Sequence, residues 1–247
     1  MSGTEPAAIP KTSAATGSRR SDQSFYTVIA LGAALIVFAG FARTYFLRPA
    51  FYGLPLSALL HLHGFVTTLW FVVFFLQVRF VAARRVDLHR RLGLAAAFLA
   101  PTIFLLGLVA LIAVGRRGFS PDRPPAPYFV AMILVSLIVT LVLMVAGLCF
   151  RRRGDVHKRL MTLATLSMLT PAIARIPLSV FRSGGFATAL AWTDLCIVVC
   201  VAYDTMQKRR LHPAFKWGTL FVLAAQPIRF LLAGSDAWKI FVKWLLS

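Results

Sequence analysis

The sequence predicts an all-α fold, a polytopic membrane bundle of about seven transmembrane helices. Composition is the first reason. Of 247 residues, 59% are hydrophobic and 14% charged, with a mean hydropathy of +0.77. A soluble domain carries about 25% charged residues. Acids are scarcest, and Glu5 is the only glutamate. The second reason is a recurring apolar run of roughly 20 residues, the helical length that crosses a hydrocarbon core about 30 Å thick. The third is the lack of barrel-type alternation, which leaves helices to satisfy the backbone in lipid.

Residues 1–24 are rich in Ser, Thr, Ala and Pro, and read as a disordered basic tail. Seven apolar segments follow, at 25–47, 56–83, 88–114, 127–150, 156–181, 187–206 and 214–233. Charges, Pro or Gly bound each one. Together they make a transmembrane domain over 25–233. In the last segment, 235–247, Trp238, Phe241, Val242 and Leu245 fall on one helical stripe. That predicts an amphipathic helix lying in the membrane interface.

Charge sets the expected orientation. The net charge is +19, but the basic residues cluster between apolar runs, which suits anionic lipid headgroups and not nucleic acid. With the N-terminus inside, 17 Lys and Arg fall on the inner side and seven on the outer. The positive-inside rule then puts the C-terminus outside. Lys158 and Arg159 count among the inner loop cations, and Arg123 among the outer. The expected location is a bacterial inner membrane.

An internal repeat stands out. Residues 84–92 and 152–160 match at six of nine positions, 68 residues apart. This predicts a duplicated helix pair, helices 2–3 and 4–5. In each copy an Asp, Asp87 or Asp155, is placed to cap its helix. His89 and His157 occupy equal positions on different helices. Two such imidazoles facing one axis are what axial ligation of a haem b iron requires. Interfacial histidines beside lipid-binding arginines are the plainer reading. Gly93 and Ala96 continue the face of His89, leaving room for a macrocycle or for close packing.

Polar residues also gather in the outer half of the segments. They are Arg43, His61, His63, Arg175, Asp194, Gln226 and Arg229. Ionisable groups in a bilayer are costly and usually mark a site. Convergence of Arg43, His63, Arg175, Asp194, Gln226 and Arg229 makes a pocket for an anion, a quinone carbonyl or haem propionates. Otherwise Asp194 pairs with one Arg and the rest reach the headgroups. His61 and His63 share a metal only if their helix starts late, near Gly64, because residues two apart differ by about 200° around a helix. His63 instead shares a stripe with Thr67, Trp70, Phe74 and Gln77. Cys196 and Cys200, one turn apart, suit core packing better than a soft metal.

His-Leu-His-Gly at 61–64, Phe-Phe-Leu-Gln at 74–77 and Asp-Leu-His-Arg-Arg-Leu-Gly at 87–93 resemble a family of uncharacterised bacterial multi-pass inner-membrane proteins. His-Lys-Arg-Leu-Met at 157–161, with Arg175 beyond, is similar to a small membrane family associated with haem–copper oxidase assembly. The resemblance spans about 55–175. It implies a respiratory or redox setting, with respiratory components or a quinone as partners, and no particular reaction.

Three functions follow. The first is a redox-associated protein binding haem, quinone or a metal. The second is a transporter or a lipid- or anion-binding protein using the outer pocket. The third is a non-catalytic assembly scaffold. Hydrolase and nucleotide-binding motifs are absent from the sequence. The scarcity of intramembrane acids disfavours a proton-coupled pump, although Asp194 could serve one.

Overall fold

A computed structural model describes residues 12–52, 55–117 and 125–247. Lys11 and Arg123 of the charge count lie outside the described residues. The eleven helices described are α1 (Thr12–Phe41), α2 (Arg48–Tyr52), α3 (Ala58–Ala82), α4 (Val86–Arg116), α5 (Ala126–Cys149), α6 (Gly154–Ser167), α7 (Thr170–Ile173), α8 (Ser179–Arg182), α9 (Gly185–Lys208), α10 (Pro213–Gly234) and α11 (Asp236–Leu246). A π-helical turn, Ala42–Phe46, extends α1. Among the described residues, six helices are long and apolar enough to cross a membrane, and the chain is a multi-pass helical membrane protein.

Local chemistry sets the boundaries. Pro127 sits in the first turn of α5 and Pro213 opens α10, positions where proline's missing N–H costs nothing. The His212 ring caps α10, its Nδ1 accepting from Ala214 N at 3.1 Å. Burial, with the Arg159 charge next, lowers the pKa of His212 and so favours the neutral ring this cap needs. The α3–α4 turn is tight enough to hold Arg84 at φ 58°. Ser235 Oγ caps α11 by accepting from Trp238 N at 3.4 Å.

Three expectations change here. Helix α1 begins at Thr12, so residues 12–24 are helical and not a disordered tail. No proline interrupts 12–41, and a helix already nucleated by the span extends at little cost. The predicted fifth helix, 156–181, is divided into α6, α7 and α8. Pro171 and Pro177 lack the N–H that a continuous helix needs, and Pro177 also disfavours helical geometry in Ile176 before it. Finally, α11 turns its stripe onto protein. Val242 packs with Leu111 and Val130, and Trp238 Nε1 donates to the Pro127 carbonyl at 2.8 Å. Phe241 of the stripe stays exposed, as do Ile240 and Trp244 of the other face.

The divided segment lies at the centre. Leu163, Ala164, Leu169 and Ala172 are fully buried. Around it stand α1, α3, α4, α5, α10 and α9, each touching the next. Broken backbone is tolerated at membrane depth when protein surrounds it. Close approach makes this possible: a Cβ at Gly40 of α1 would collide with the Ala172 carbonyl, and one at Gly218 of α10 with Leu163. The α3–α4 and α5–α6 turns share one end of the bundle with the α9–α10 turn, here termed the basic end.

Candidate functional site

His89 and His157 are each the fourth residue of their helices, α4 and α6. Their backbone N–H groups bond back to the Arg85 and Arg153 carbonyls at 3.1 and 2.9 Å. The matched start places the two rings 6.2 Å apart, centroid to centroid, and nearly perpendicular at 85°. His157 Nδ1 donates to the Gly147 carbonyl at 2.8 Å. That bond fixes the tautomer and leaves the Nε2 lone pair for another partner. His89 Nδ1 is buried and has no hydrogen-bond partner among the described residues, and the same holds for Gln77 Oε1. The Gln77 amide nitrogen lies 3.4 Å from where a Cβ on Gly93 would stand. Met161, the counterpart of Gly93 in the second copy, packs its sulfur against Gly147.

Asp87 and Asp155 do not cap these helices. The caps are Arg85 and Arg153, without a side-chain hydrogen bond, and the two acids lie one residue inside the first turn. Each helix starts two residues too early for an aspartate cap. Asp155 instead meets Lys158 and Arg159 at 3.5 and 3.7 Å, and Asp87 meets Arg85 at 3.6 Å. Negative charge in a first turn still favours the helix dipole.

The outer residues form two groups. In one, Asp194 accepts twice from Gln226 Nε2, at 2.9 and 3.1 Å, and Gln226 Oε1 accepts from Arg229 Nη1 at 2.9 Å. The amide therefore relays between acid and base across α9 and α10. Arg229 is buried, and its Nε has no partner among the described residues. The second group surrounds the start of α3. Arg175 is exposed, donates to the Pro171 carbonyl and stacks 4.9 Å over Phe41. Its charge acts on the His63 ring, whose Nδ1 is buried without a partner among the described residues. Arg43 lies 4.8 Å over Phe51. Aromatic faces thus hold Arg43 and Arg175 where the pocket expectation brought them toward Asp194.

Helix α3 starts at Ala58, well before Gly64, so His61 and His63 face different ways. His61 is exposed, with its ring 5.8 Å from Tyr45 and its carbonyl accepting from Tyr45 Oη at 3.1 Å. Cys200 is buried in the core, and no described cysteine is bonded to another. Among the described residues, no group of three or more His, Cys, Asp or Glu could hold a metal ion. An apolar groove of about 410 Å³ between α9 and α10, lined by Val198, Ala202, Met206 and Thr219 among others, contains no histidine.

One buried centre was missed by the sequence reading. Arg159, counted as a loop cation, is 3% exposed at its side chain and faces Asp204 at 2%. The pair is bidentate, with Nε to Oδ2 and Nη2 to Oδ1 both at 2.9 Å. Tyr26 Oη adds a bond to Oδ1 at 3.4 Å, and Arg159 Nη1 donates to the Asp155 carbonyl at 2.8 Å. Nearby, Asp22 pairs with Lys158 at 3.3 Å and Lys208 at 2.8 Å. The available signal was Asp204, an acid within the apolar run 187–206. No protein-family model matches the chain, and no curated protein or solved structure matches it significantly.

Proposed function

We propose that the chain is a redox-associated protein of a bacterial inner membrane that holds a b-type haem, or a single transition metal, between His89 and His157. One observation carries this reading: two imidazoles 68 residues apart in sequence meet at 6.2 Å. At this separation one nitrogen of each ring could hold a single metal, with metal–nitrogen bonds of about 2.0–2.1 Å. The Nδ1 bond from His157 to a backbone carbonyl is the second interaction that metal-bound histidines usually make. Gly93 adds space, with only the Gln77 amide in contact reach of a Cβ there. These residues fit the group. His89 and His157 would be its ligands, and Gln77 would offer a hydrogen bond. A bound haem supplies one-electron transfer. Quinone or respiratory components are the partners this reading expects.

The same proposal includes the finer architecture. The six long helices and the divided central segment together make seven crossings, with the N-terminus inside and the C-terminus outside. The α3–α4 and α5–α6 pairs are copies of one duplicated unit. The test is an optical spectrum of detergent-purified protein from haem-replete cells, with metal analysis alongside. A low-spin Soret band lost in both His89→Ala and His157→Ala supports haem. Absence of both a band and a stoichiometric metal overturns the redox reading.

A second reading draws on Arg229, a buried guanidinium bonded to a neutral amide and with Nε unpartnered among the described residues. Such a group suits an anion, including a lipid phosphate, and supports an anion- or lipid-binding role. Arg229→Gln should then lose retained anionic lipid in native mass spectrometry. Unchanged retention removes this reading.

A further inference from the structure

Helices α9 and α10 are consecutive in the chain, yet an open apolar groove of about 410 Å³ lies between them, within the range of small-ligand sites. Val198, Val201, Ala202 and Met206 of α9 make one wall and Thr219 of α10 the other, with Leu211 of the connecting turn at the basic end. Val198 to Met206 measures about 12 Å along the helix, most of one leaflet of a core about 30 Å thick. Ala202 and Met206 are exposed, so the groove opens sideways toward lipid.

Cations stand where the groove reaches the basic end. Arg209 ends α9 and Arg210 precedes Leu211, and both are exposed. Four described acids lie at this end, and each already faces another cation: Asp22 with Lys158 and Lys208, Asp87 with Arg85, Asp155 with Lys158, and Asp204 with Arg159. The counter-charge of Arg209 and Arg210 therefore comes from outside the described residues. Arg209 also holds a left-handed backbone, φ 50° and ψ 24°, at a helix end where glycine or asparagine is usual. Lys216, in the first turn of α10, lies 5.3 Å over the exposed Trp217 ring, an indole of the kind that sits among headgroups. The hydroxyls of Thr205 and Thr219, one from each wall, are buried without a partner among the described residues. They lie one turn from Arg209 and Lys216, the depth at which a phospholipid carries its ester carbonyls below its phosphate.

We propose that the α9–α10 groove holds one anionic phospholipid, with an acyl chain between the helices and the phosphate at Arg209 and Arg210. Both halves of such a molecule are needed to match the site. A neutral isoprenoid leaves the arginines unanswered, and a free phosphate leaves the apolar walls bare. A second copy related by a two-fold along the membrane normal brings the same arginines to the same depth, where like charges repel. The site is separate from Arg229, which lies about 15 Å farther along α10 than Thr219.

The experiment titrates the full chain, purified in mild detergent and washed free of lipid, with phosphatidylglycerol or phosphatidylcholine of the same acyl chains. Native mass spectrometry counts the lipids held. Wild-type protein should hold one phosphatidylglycerol at least roughly tenfold more tightly than any phosphatidylcholine. In the double variant Arg209→Gln, Arg210→Gln that affinity should fall roughly thirty-fold, each cation being worth about fivefold near an anionic surface. Ala202→Trp fills the groove and should lose the lipid with both arginines intact; Ala202→Leu is the milder filler if Trp disturbs the fold. Arg151→Gln, Arg152→Gln removes equal charge elsewhere at the basic end and should keep the lipid. Arg229→Gln should keep it too, so this proposal and the anion reading of Arg229 fail separately. Equal affinity for the two lipids overturns the proposal. So does full retention of phosphatidylglycerol in the arginine variant or the filled-groove variant, or an equal fall in the Arg151, Arg152 control. A dimer that disappears in Ala202→Trp would give the groove to a second copy and overturn it as well.

Discussion

Arg159 and Asp204 bury opposite charges with every geometric advantage open to them: a bidentate fork, a tyrosine hydroxyl and a backbone carbonyl. Breaking such a pair strands the remaining charge, at about 3–5 kcal/mol, whereas replacing both partners by apolar groups is often neutral. Asp204→Asn should therefore destabilise strongly, and the double variant Arg159→Met, Asp204→Leu should recover most of the loss. Thermal unfolding in detergent, followed by circular dichroism, decides it. A double variant no better than the single one would show that the pair stabilises beyond its own neutralisation. The pair was illegible in sequence because Arg159 follows four other cations of the same loop, Arg151, Arg152, Arg153 and Lys158. Motif membership argues for solvent, and only the packing of α9 and α10 around α6 makes the site dry. His89 and His157 were legible because one motif occurs twice. Equal position along two helices is a property of sequence. Their meeting across the bundle is not.

Helix boundaries were largely readable, since the length of an apolar run is itself a sequence feature. The divided central segment was not. Hydropathy over 156–181 is high enough to suggest a span, and Pro171 and Pro177 leave open whether the helix kinks or breaks. Breaking is decided by contact with α1. Gly40 has no room for a side chain against the Ala172 backbone, whereas Gly32, two turns earlier, has open space. Overpacking a closed site costs about 1–3 kcal/mol. Gly40→Ala should lower the melting temperature by several degrees, and Gly32→Ala should leave it unchanged or raise it slightly. Equal melting of the two variants would place the α1–α7 approach elsewhere. The two-group arrangement of the outer polar residues was equally hidden. Arg43 and Arg175 choose aromatic faces supplied by Phe51 and Phe41. Nothing in the spacing of arginines announces that choice.

For the molecule as a whole, the class of fold was legible and the ring around a central segment was not. Seven apolar runs in the sequence do not say which of them the other six enclose. Charge asymmetry over the loops predicts a C-terminus outside. A reporter fused after Ser247 that is active only outside should be active, and activity of an inside reporter would reverse the orientation. The composition of the central segment also bears on how the protein is made. Helices α1, α3, α4 and α5 can each enter the bilayer on their own hydropathy as they leave the ribosome. Helix α6 begins with Asp155, His157, Lys158 and Arg159 and is followed by hydroxyl-bearing residues, so lipid is a poor solvent for it. Its charge partner Asp204 and its cover Phe215 are synthesised later, on α9 and α10. The segment at the core is thus made before its charge partner and its cover, and its burial is expected to follow the synthesis of α9 and α10; a chain truncated before α9 should leave Lys158 open to a water-soluble amine reagent.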